Sequence, residues 1–319
     1  MRVAAIDCGT NSIRLLVADI TADPATGHER LVDLDRRLEV VRLGQGVDRT
    51  GRLAPEALRR TFDASRTYAA RIAELGAEQV RFVATSASRD AENRDEFVAG
   101  VREILGVEPE VITGQEEAQL SFAGSTRELA RHRLATPYLV IDIGGGSTEF
   151  VLGGEAPEAA VSVDLGCVRL TERCLPGDPP SPDQIETALA EVDRQLDKAA
   201  ASVPLERART LVGLAGTVTT VAATALDLPT YDPTRIHHAR IPAPDVHAAT
   251  GRLLTMDHDA RAALPFMHPG RVDVIGAGAL ILDRILARVA PYLALAEIVV
   301  SEHDILDGIA LSAYARALR

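Results

Sequence analysis

Apolar residues in this chain fall into short unbroken runs separated by stretches at helical spacing, the pattern of strands alternating with helices. Two of the runs nearly repeat each other 135 residues apart: VAAIDCGTNSIRLLVADI (Val3 to Ile20) and YLVIDIGGGSTEFVLGG (Tyr138 to Gly154). Each predicts an apolar strand ending in an aspartate, a tight turn of glycine and small hydroxyl residues, and then a second strand rather than a helix. ERLVDLDRRLEVVRLG (Glu29 to Gly44) adds one or two strands, so the chain opens with a meander of three.

A polar loop, GQGVDRTGRLAP, follows. Its Gly44 and Gly46 lack the strand-to-helix setting of a dinucleotide site and read as loop. Leu58, Phe62, Ala69 and Ile72 have helical spacing, with Pro55 suited to the first turn and Gly76 to a stop. A strand over Gln79 to Thr85, a helix over Asn93 to Gly106 and a strand over Pro109 to Thr113 lead into a helix within ITGQEEAQLSFAGSTREL. The polar stretch from Arg131 to Pro137 marks a domain boundary, giving domains over 1–132 and 133–303.

The second half repeats the plan: hairpin, a third strand near Ala159 to Leu165, then helices. One begins with Ser181 as cap, Pro182 at the first position and Gln184 completing a capping box. TLVGLAGTVTTVAATAL (Thr210 to Leu226) predicts a buried strand, a glycine turn and a helix start; another helix is expected over Arg271 to Leu286. A last strand precedes a terminal helix over 304–319, expected to complete the first domain.

The repeated turn is where the chemistry lies. Glycine lets backbone approach an anion and adopt positive φ, so successive amides can converge on phosphate oxygens, with hydroxyl donors beside them. Gly9, Thr10, Asn11 and Ser12 in the first turn, and Gly144, Gly145, Gly146, Ser147 and Thr148 in the second, are the phosphate-binding candidates. Asp7 and Asp142 would repel phosphate directly, which makes them metal partners: outer groups of a divalent cation, Mg²⁺, bridging protein and substrate. No GxxxxGK[ST] occurs, so this is not a Walker loop.

Composition narrows the partners. At 319 residues two domains are expected, and 46% hydrophobic with 25% charged residues matches a folded globular chain. A net charge of −12 argues against a nucleic-acid coat, and 3% aromatics without tryptophan disfavours base stacking. Cys8, Cys167 and Cys174 lack metal-ligand spacing and read as reduced thiols of a cytoplasmic protein, with Cys8 in a packing role. The apolar start is cut short by Asp7, too brief for a signal peptide, and no run reaches membrane-spanning length. His237 and His238 read as loop residues, since neighbouring histidines do not face one ligand position unaided; His268 and His303 carry no signal.

DCGTNSIRLL, VATSASRDAEN, TGQEEAQLSFAG, VIDIGGGSTEF, GLAGT and RVDVIGAGALIL, in this order and spacing, resemble the exopolyphosphatase and guanosine pentaphosphate phosphohydrolase family. That family belongs to the superfamily of actin, sugar kinases and heat-shock chaperone ATPases. The resemblance implies an α/β protein of two ribonuclease H-like domains, each opening with a three-stranded meander, closing over an interdomain cleft. It covers essentially the whole chain and fits the short, two-domain forms, without the C-terminal helical domain of longer members. One departure stands out: where many members read serine, two residues, glycine, an aliphatic and arginine, this chain has Ser301, Asp304, Ile305 and Leu306.

Hydrolysis of a terminal phosphoanhydride needs an in-line water, a base and cations. Glu116 and Glu117 are the base candidates. Thr113 with Glu116 fits a T-x-x-E capping box that would aim Glu116 back at its own helix start, leaving Glu117. The resemblance places its catalytic glutamate at Glu117 too, and supports Glu149, with Asp142, as an acidic partner of metal or water. Arg89, in SASRDAEN, is the group the resemblance assigns to the terminal phosphate, and Arg14 is read equally as extra charge or as a strand residue. GLAGT (Gly213 to Thr217) sits where nucleotide-binding relatives cradle adenosine, or serves only to pack a helix on a strand.

The expectation is a Mg²⁺-dependent exopolyphosphatase acting on inorganic polyphosphate, with hydrolysis of guanosine pentaphosphate as the nearest alternative. A sugar or acetate kinase on the same fold, or a non-catalytic alarmone-binding sensor, are the further rivals. A homodimer is expected on base rate.

Overall fold

A computed structural model describes residues 1–22 and 29–318, without the side chains of residues 130 and 131. The chain divides into two compact units, Met1–Gly124 with Ile305–Arg319, and Ser125–Asp304. The division falls at Gly124/Ser125, ahead of the 132/133 boundary read from the polar stretch. The terminal helix counts with the first unit; residue 319 lies outside the described residues.

The first unit is built on a five-stranded sheet of order β3-β2-β1-β4-β5. Its strands are β1 (Arg2–Cys8), β2 (Ser12–Ala22), β3 (Glu29–Val40), β4 (Gln79–Ala84) and β5 (Glu110–Val111). The stretch after the first hairpin is thus one strand. β1 pairs antiparallel with β2 and parallel with β4. Period-two alternation sends Ala4, Ile6 and Cys8 to one face and Val3 and Ala5 to the other, so both faces must be covered.

Helix α1 (Pro55–Leu75) covers the first face with Leu58, Tyr68 and Ile72; it starts at Pro55 and stops at Gly76 in the left-handed region. The Tyr68 hydroxyl donates to the Ile13 carbonyl at 3.0 Å, and Phe97 of α2 (Arg94–Leu105) meets Phe82 edge to face. The second face is covered by α3 (Gly114–Thr126) and by the terminal helix over Ile305–Ala317. The outer strand β3 is rich in charge, as suits a sheet edge.

The second unit holds a six-stranded sheet of order β10-β11-β9-β6-β7-β8. Its meander is β6 (Tyr138–Ile143), β7 (Thr148–Gly153) and β8 (Pro157–Val163). β9 (Thr210–Leu214), β10 (Arg240–Pro242) and β11 (Glu297–Val300) complete it, with β9 parallel to β6. Both sheets therefore share the ribonuclease H-like plan of an antiparallel meander extended by parallel strands, to which the second adds β10 antiparallel at its edge, the α/β class that the resemblance implies.

Its helices are α4 (Cys167–Cys174), α5 (Pro182–Ser202), α6 (Ala215–Ala225), α7 (Ala243–Thr255) and α8 (Ile275–Val289). Helix α9 (Ile305–Ala317) closes the chain. The capping box at α5 forms: Gln184 N–H donates to Ser181 Oγ at 3.3 Å and Ser181 N–H to Gln184 Oε1 at 3.0 Å. α8 packs against α4, α5, α6 and α7. In GLAGT the left-handed residue is Ala215 (φ 68°), not a glycine. Gly213 and Gly216 instead admit Ile298 and the Arg271 guanidinium, whose atoms lie 2.5 Å from where a Cβ would stand. Among the described residues no helix is long and apolar enough to cross a membrane.

Candidate active site

In the first hairpin, Gly9 N–H donates to the Ser12 carbonyl at 2.9 Å and closes the turn. In the second, Gly144 N–H donates to the Ser147 carbonyl at 3.0 Å. The same bond closes both turns. Neither Gly9 nor Gly144 stands at positive φ, so the left-handed freedom expected of them is not what these positions use. A Cβ on Gly144 would sit 3.2 Å from the Ser147 carbonyl oxygen, whereas one on Gly9 would meet nothing closer than 3.6 Å.

What makes the second turn a donor surface is the way its carbonyls are held. The first amides of α4 reach back to it: Cys167 N–H donates to Gly144 O (3.0 Å), while Val168 and Arg169 N–H donate to Gly145 O (2.9 and 3.1 Å). The Arg169 guanidinium adds Nε–H to Gly146 O at 2.7 Å. A trans peptide places its N–H opposite its C=O, so the amides of Gly145, Gly146 and Ser147 point away from α4. Successive N–H groups aimed outward form a nest for an anion. The approach of α4 requires Gly166, where a Cβ would lie 2.3 Å from the Gly145 carbonyl carbon.

The first turn is held from behind by other means. Gly44 N–H donates to Thr10 O (2.8 Å), and Val41 and Arg42 N–H donate to Asn11 O (3.1 and 2.8 Å). By the same geometry the amides of Asn11 and Ser12 face the opposite way. Thr10 is buried against Gly44, where a Cβ would stand 2.3 Å from Thr10 Cγ2. The GQG segment, read as plain loop, is thus the backing of this turn. Thr148 does not offer its hydroxyl proton to a ligand: it is buried and donates to Leu165 O at 2.5 Å. That corrects its reading as a side-chain donor: the hydroxyl instead ties down the loop between β8 and α4.

Acidic groups flank both turns. Asp7 faces Arg14 across β1 and β2, and Arg14 Nη2 and Nε donate to Asp7 Oδ2 at 2.6 and 2.9 Å. The equivalent register in the second hairpin sets Asp142 against Glu149, both buried, with Ser162 Oγ donating to Glu149 Oε1 at 2.6 Å. Two carboxylates on neighbouring strands, pointing to one side, are a donor set for a hard divalent cation; Asp7, tied to an arginine, is less so.

Glu117 lies in the first turn of α3 and is 7% exposed. Arg89, from the short helix Ser86–Asp90, donates through Nη1 to Glu117 Oε2 at 3.1 Å and to Ile112 O at 3.0 Å. The structure thus brings these two residues together. Glu116 makes half of the expected capping box, its N–H bound to Thr113 Oγ1 at 3.2 Å. Its side chain does not turn back but meets Arg81 Nη2 at 2.8 Å, because buried Arg81 also ties Glu110 and Ser312 and needs the counter-charge.

Cys8 is buried, and desolvation, with Asp7 beside it, pushes its thiol well above the ordinary value, which suits packing rather than nucleophilic attack. Leu306, standing where the resembling family has arginine, is 1% exposed in the core of the first unit. Gly166 and Arg169 carried no signal in the sequence beyond their place before and within a short amphipathic helix.

The model of the Ppx/GppA phosphatase family matches residues 20–313. The chain is 52% identical over 316 residues to Exopolyphosphatase 2 of Mycobacterium tuberculosis, covering 98% of both. Among solved structures, an exopolyphosphatase-like protein superposes with TM-score 0.93 at 46% identity over 100% of both chains. The Ppx/GppA family member of Aquifex aeolicus gives 0.79 at 28% identity, over 100% of this chain and 99% of that one. This chain belongs to the Ppx/GppA phosphatase family.

Proposed function

We propose that the protein is an exopolyphosphatase that removes orthophosphate from the end of inorganic polyphosphate. The observation that carries this reading is the pair of matched turns whose carbonyls are bound from behind, so that their amides form donor nests suited to phosphate oxygens. The relative named Exopolyphosphatase 2 supports the substrate class.

In this reading the amides of Asn11 and Ser12 and of Gly145, Gly146 and Ser147 bind and orient phosphates, and Arg89 offers its planar guanidinium to the terminal group. Glu117, held by Arg89, accepts the proton of the attacking water, assistance typically worth about 10²- to 10⁴-fold. Asp142 and Glu149 would hold Mg²⁺, whose charge neutralises that of the transferred phosphoryl group. The carboxylate pair fits such an ion, whereas Asp7 is paired with Arg14.

The test is phosphate release from polyphosphates of graded length and from guanosine pentaphosphate, each with Mg²⁺ and with chelator. Mg²⁺-dependent release from polyphosphate without any acceptor is expected. Turnover of guanosine pentaphosphate alone would assign the alternative substrate, and tight binding without hydrolysis would make the protein a sensor.

A further inference from the structure

Away from the glycine turns, the second unit gathers four histidines and a glutamate in one place. Glu128 follows α3, His132 ends the short helix Leu129–His132, His237 and His238 follow the turn Pro233–Ile236, and His303 follows β11. Glu128 Oε2 lies 3.5 Å from His237 Nε2 and 3.8 Å from His303 Nδ1. One ligand atom from each of the three residues falls within 4.8 Å of the others. Donors at about 2.0–2.2 Å from a tetrahedral zinc ion are separated by roughly 3.3–3.6 Å, so only a small contraction is needed.

The surroundings hold these groups in place. Ser301 Oγ donates to the His303 carbonyl at 2.7 Å and accepts its N–H at 3.1 Å, fixing the loop that presents the ring. The rings of His237 and His303 are 4.6 Å apart, those of His237 and His238 3.6 Å, and those of His238 and His132 4.2 Å. His238 has φ 60°, a strained conformation for a residue with a side chain, and its N–H is tied to Val300 O at 2.7 Å. Its Nε2 is buried and has no hydrogen-bond partner among the described residues. Backbone strain and an unsatisfied imidazole nitrogen both cost stability, and both sit beside the convergent donors.

We propose that Glu128, His237 and His303 form a binding site for a divalent transition cation of the zinc class, with water as the remaining ligand. Two imidazoles and one carboxylate suit such an ion better than they suit Mg²⁺, which prefers oxygen donors alone. The site is distinct in chemistry from the Asp142 and Glu149 pair and does not depend on the reaction assigned above. As it stands, His237 Nδ1 accepts the Glu302 N–H at 3.2 Å, which leaves the ring proton on Nε2. Binding at Nε2 moves that proton through solvent to Nδ1, and the Glu302 amide must turn away from it.

The test uses the full chain, stripped with chelator and titrated with Zn²⁺ in saturating Mg²⁺, with Co²⁺ absorption as the report of coordination. About one equivalent should bind, raise the melting temperature and give a tetrahedral Co²⁺ spectrum. His237→Ala and His303→Ala should each weaken binding at least about tenfold and lose that spectrum; Glu128→Gln, a change at a half-exposed residue that keeps the fold, should weaken it as well. His247→Ala, at an exposed histidine outside the cluster, should bind as the wild type does. Equal Zn²⁺ affinity in wild type, Glu128→Gln and the two histidine variants would overturn the proposal, as would no binding to the wild type.

Discussion

Asp142 and Glu149 face each other across the second hairpin at the register where the first hairpin sets Asp7 against Arg14. One duplicated motif thus carries an ion pair in one unit and a pair of carboxylates in the other. In the first, charge is balanced by the strand next door; the second is the pair proposed above to hold a cation.

Glu149→Gln removes one of two like charges placed directly opposite, an arrangement that costs about 0.2–1 kcal/mol. In chelator the variant should be as stable as wild type or slightly more so. Its Mg²⁺-dependent phosphate release should fall by about 10³-fold, the scale of losing a metal's stabilisation of developing charge. Thermal melts with and without Mg²⁺, beside a phosphate assay, check both halves. A variant less stable in chelator yet fully active would show that the pair has a structural role only.

Gly9 and Gly166 separate function from packing. An added Cβ on Gly9 meets only ordinary contacts, so Gly9→Ala should change stability by less than about 0.5 kcal/mol. With phosphate bound at this turn as proposed, the added methyl would crowd it, and kcat/KM should fall by about 10²-fold. Gly166→Ala instead drives a Cβ into the Gly145 backbone and should cost about 1–3 kcal/mol or more. Denaturant titration and steady-state kinetics distinguish the two; an active, stable Gly166→Ala would contradict the backing role of α4.

Burial pushes the Cys167 thiol up from its ordinary value to about 11. Between that ordinary value, near 9, and about 11 the unfolded chain releases this proton while the folded chain keeps it. Stability is therefore full below the unfolded value and is lost as pH climbs through this window, by on the order of 2 kcal/mol. Cys167→Ala should flatten this part of a stability profile measured from pH 8 to 11, and an unchanged slope would assign the loss to other groups.

Much of this was legible in the chain itself. The strand–turn–strand repeat announced two related sheets, because period-two patterning and a missing helix after the turn leave few alternatives. Pro55 with Gly76, and Ser181 with Gln184, marked helix ends because capping is local chemistry. The reading failed where distant segments decide the outcome. Thr113 and Glu116 have capping-box spacing, yet Arg81, 35 residues away along the chain, takes the Glu116 carboxylate. Thr148 has the composition of a phosphate donor, yet the carbonyl of Leu165 uses its proton. The convergence of His237 and His303 was likewise hidden, since 65 residues separate Glu302 from the His237 ring it orients.

The assignment of Glu117 rather than Glu116 as the base is tested most directly by single-turnover phosphate release from polyphosphate by Glu117→Gln and Glu116→Gln in saturating Mg²⁺. A loss of about 10²- to 10⁴-fold is expected for Glu117→Gln, with Glu116→Gln close to wild type. Wild-type release by Glu117→Gln would contradict the account.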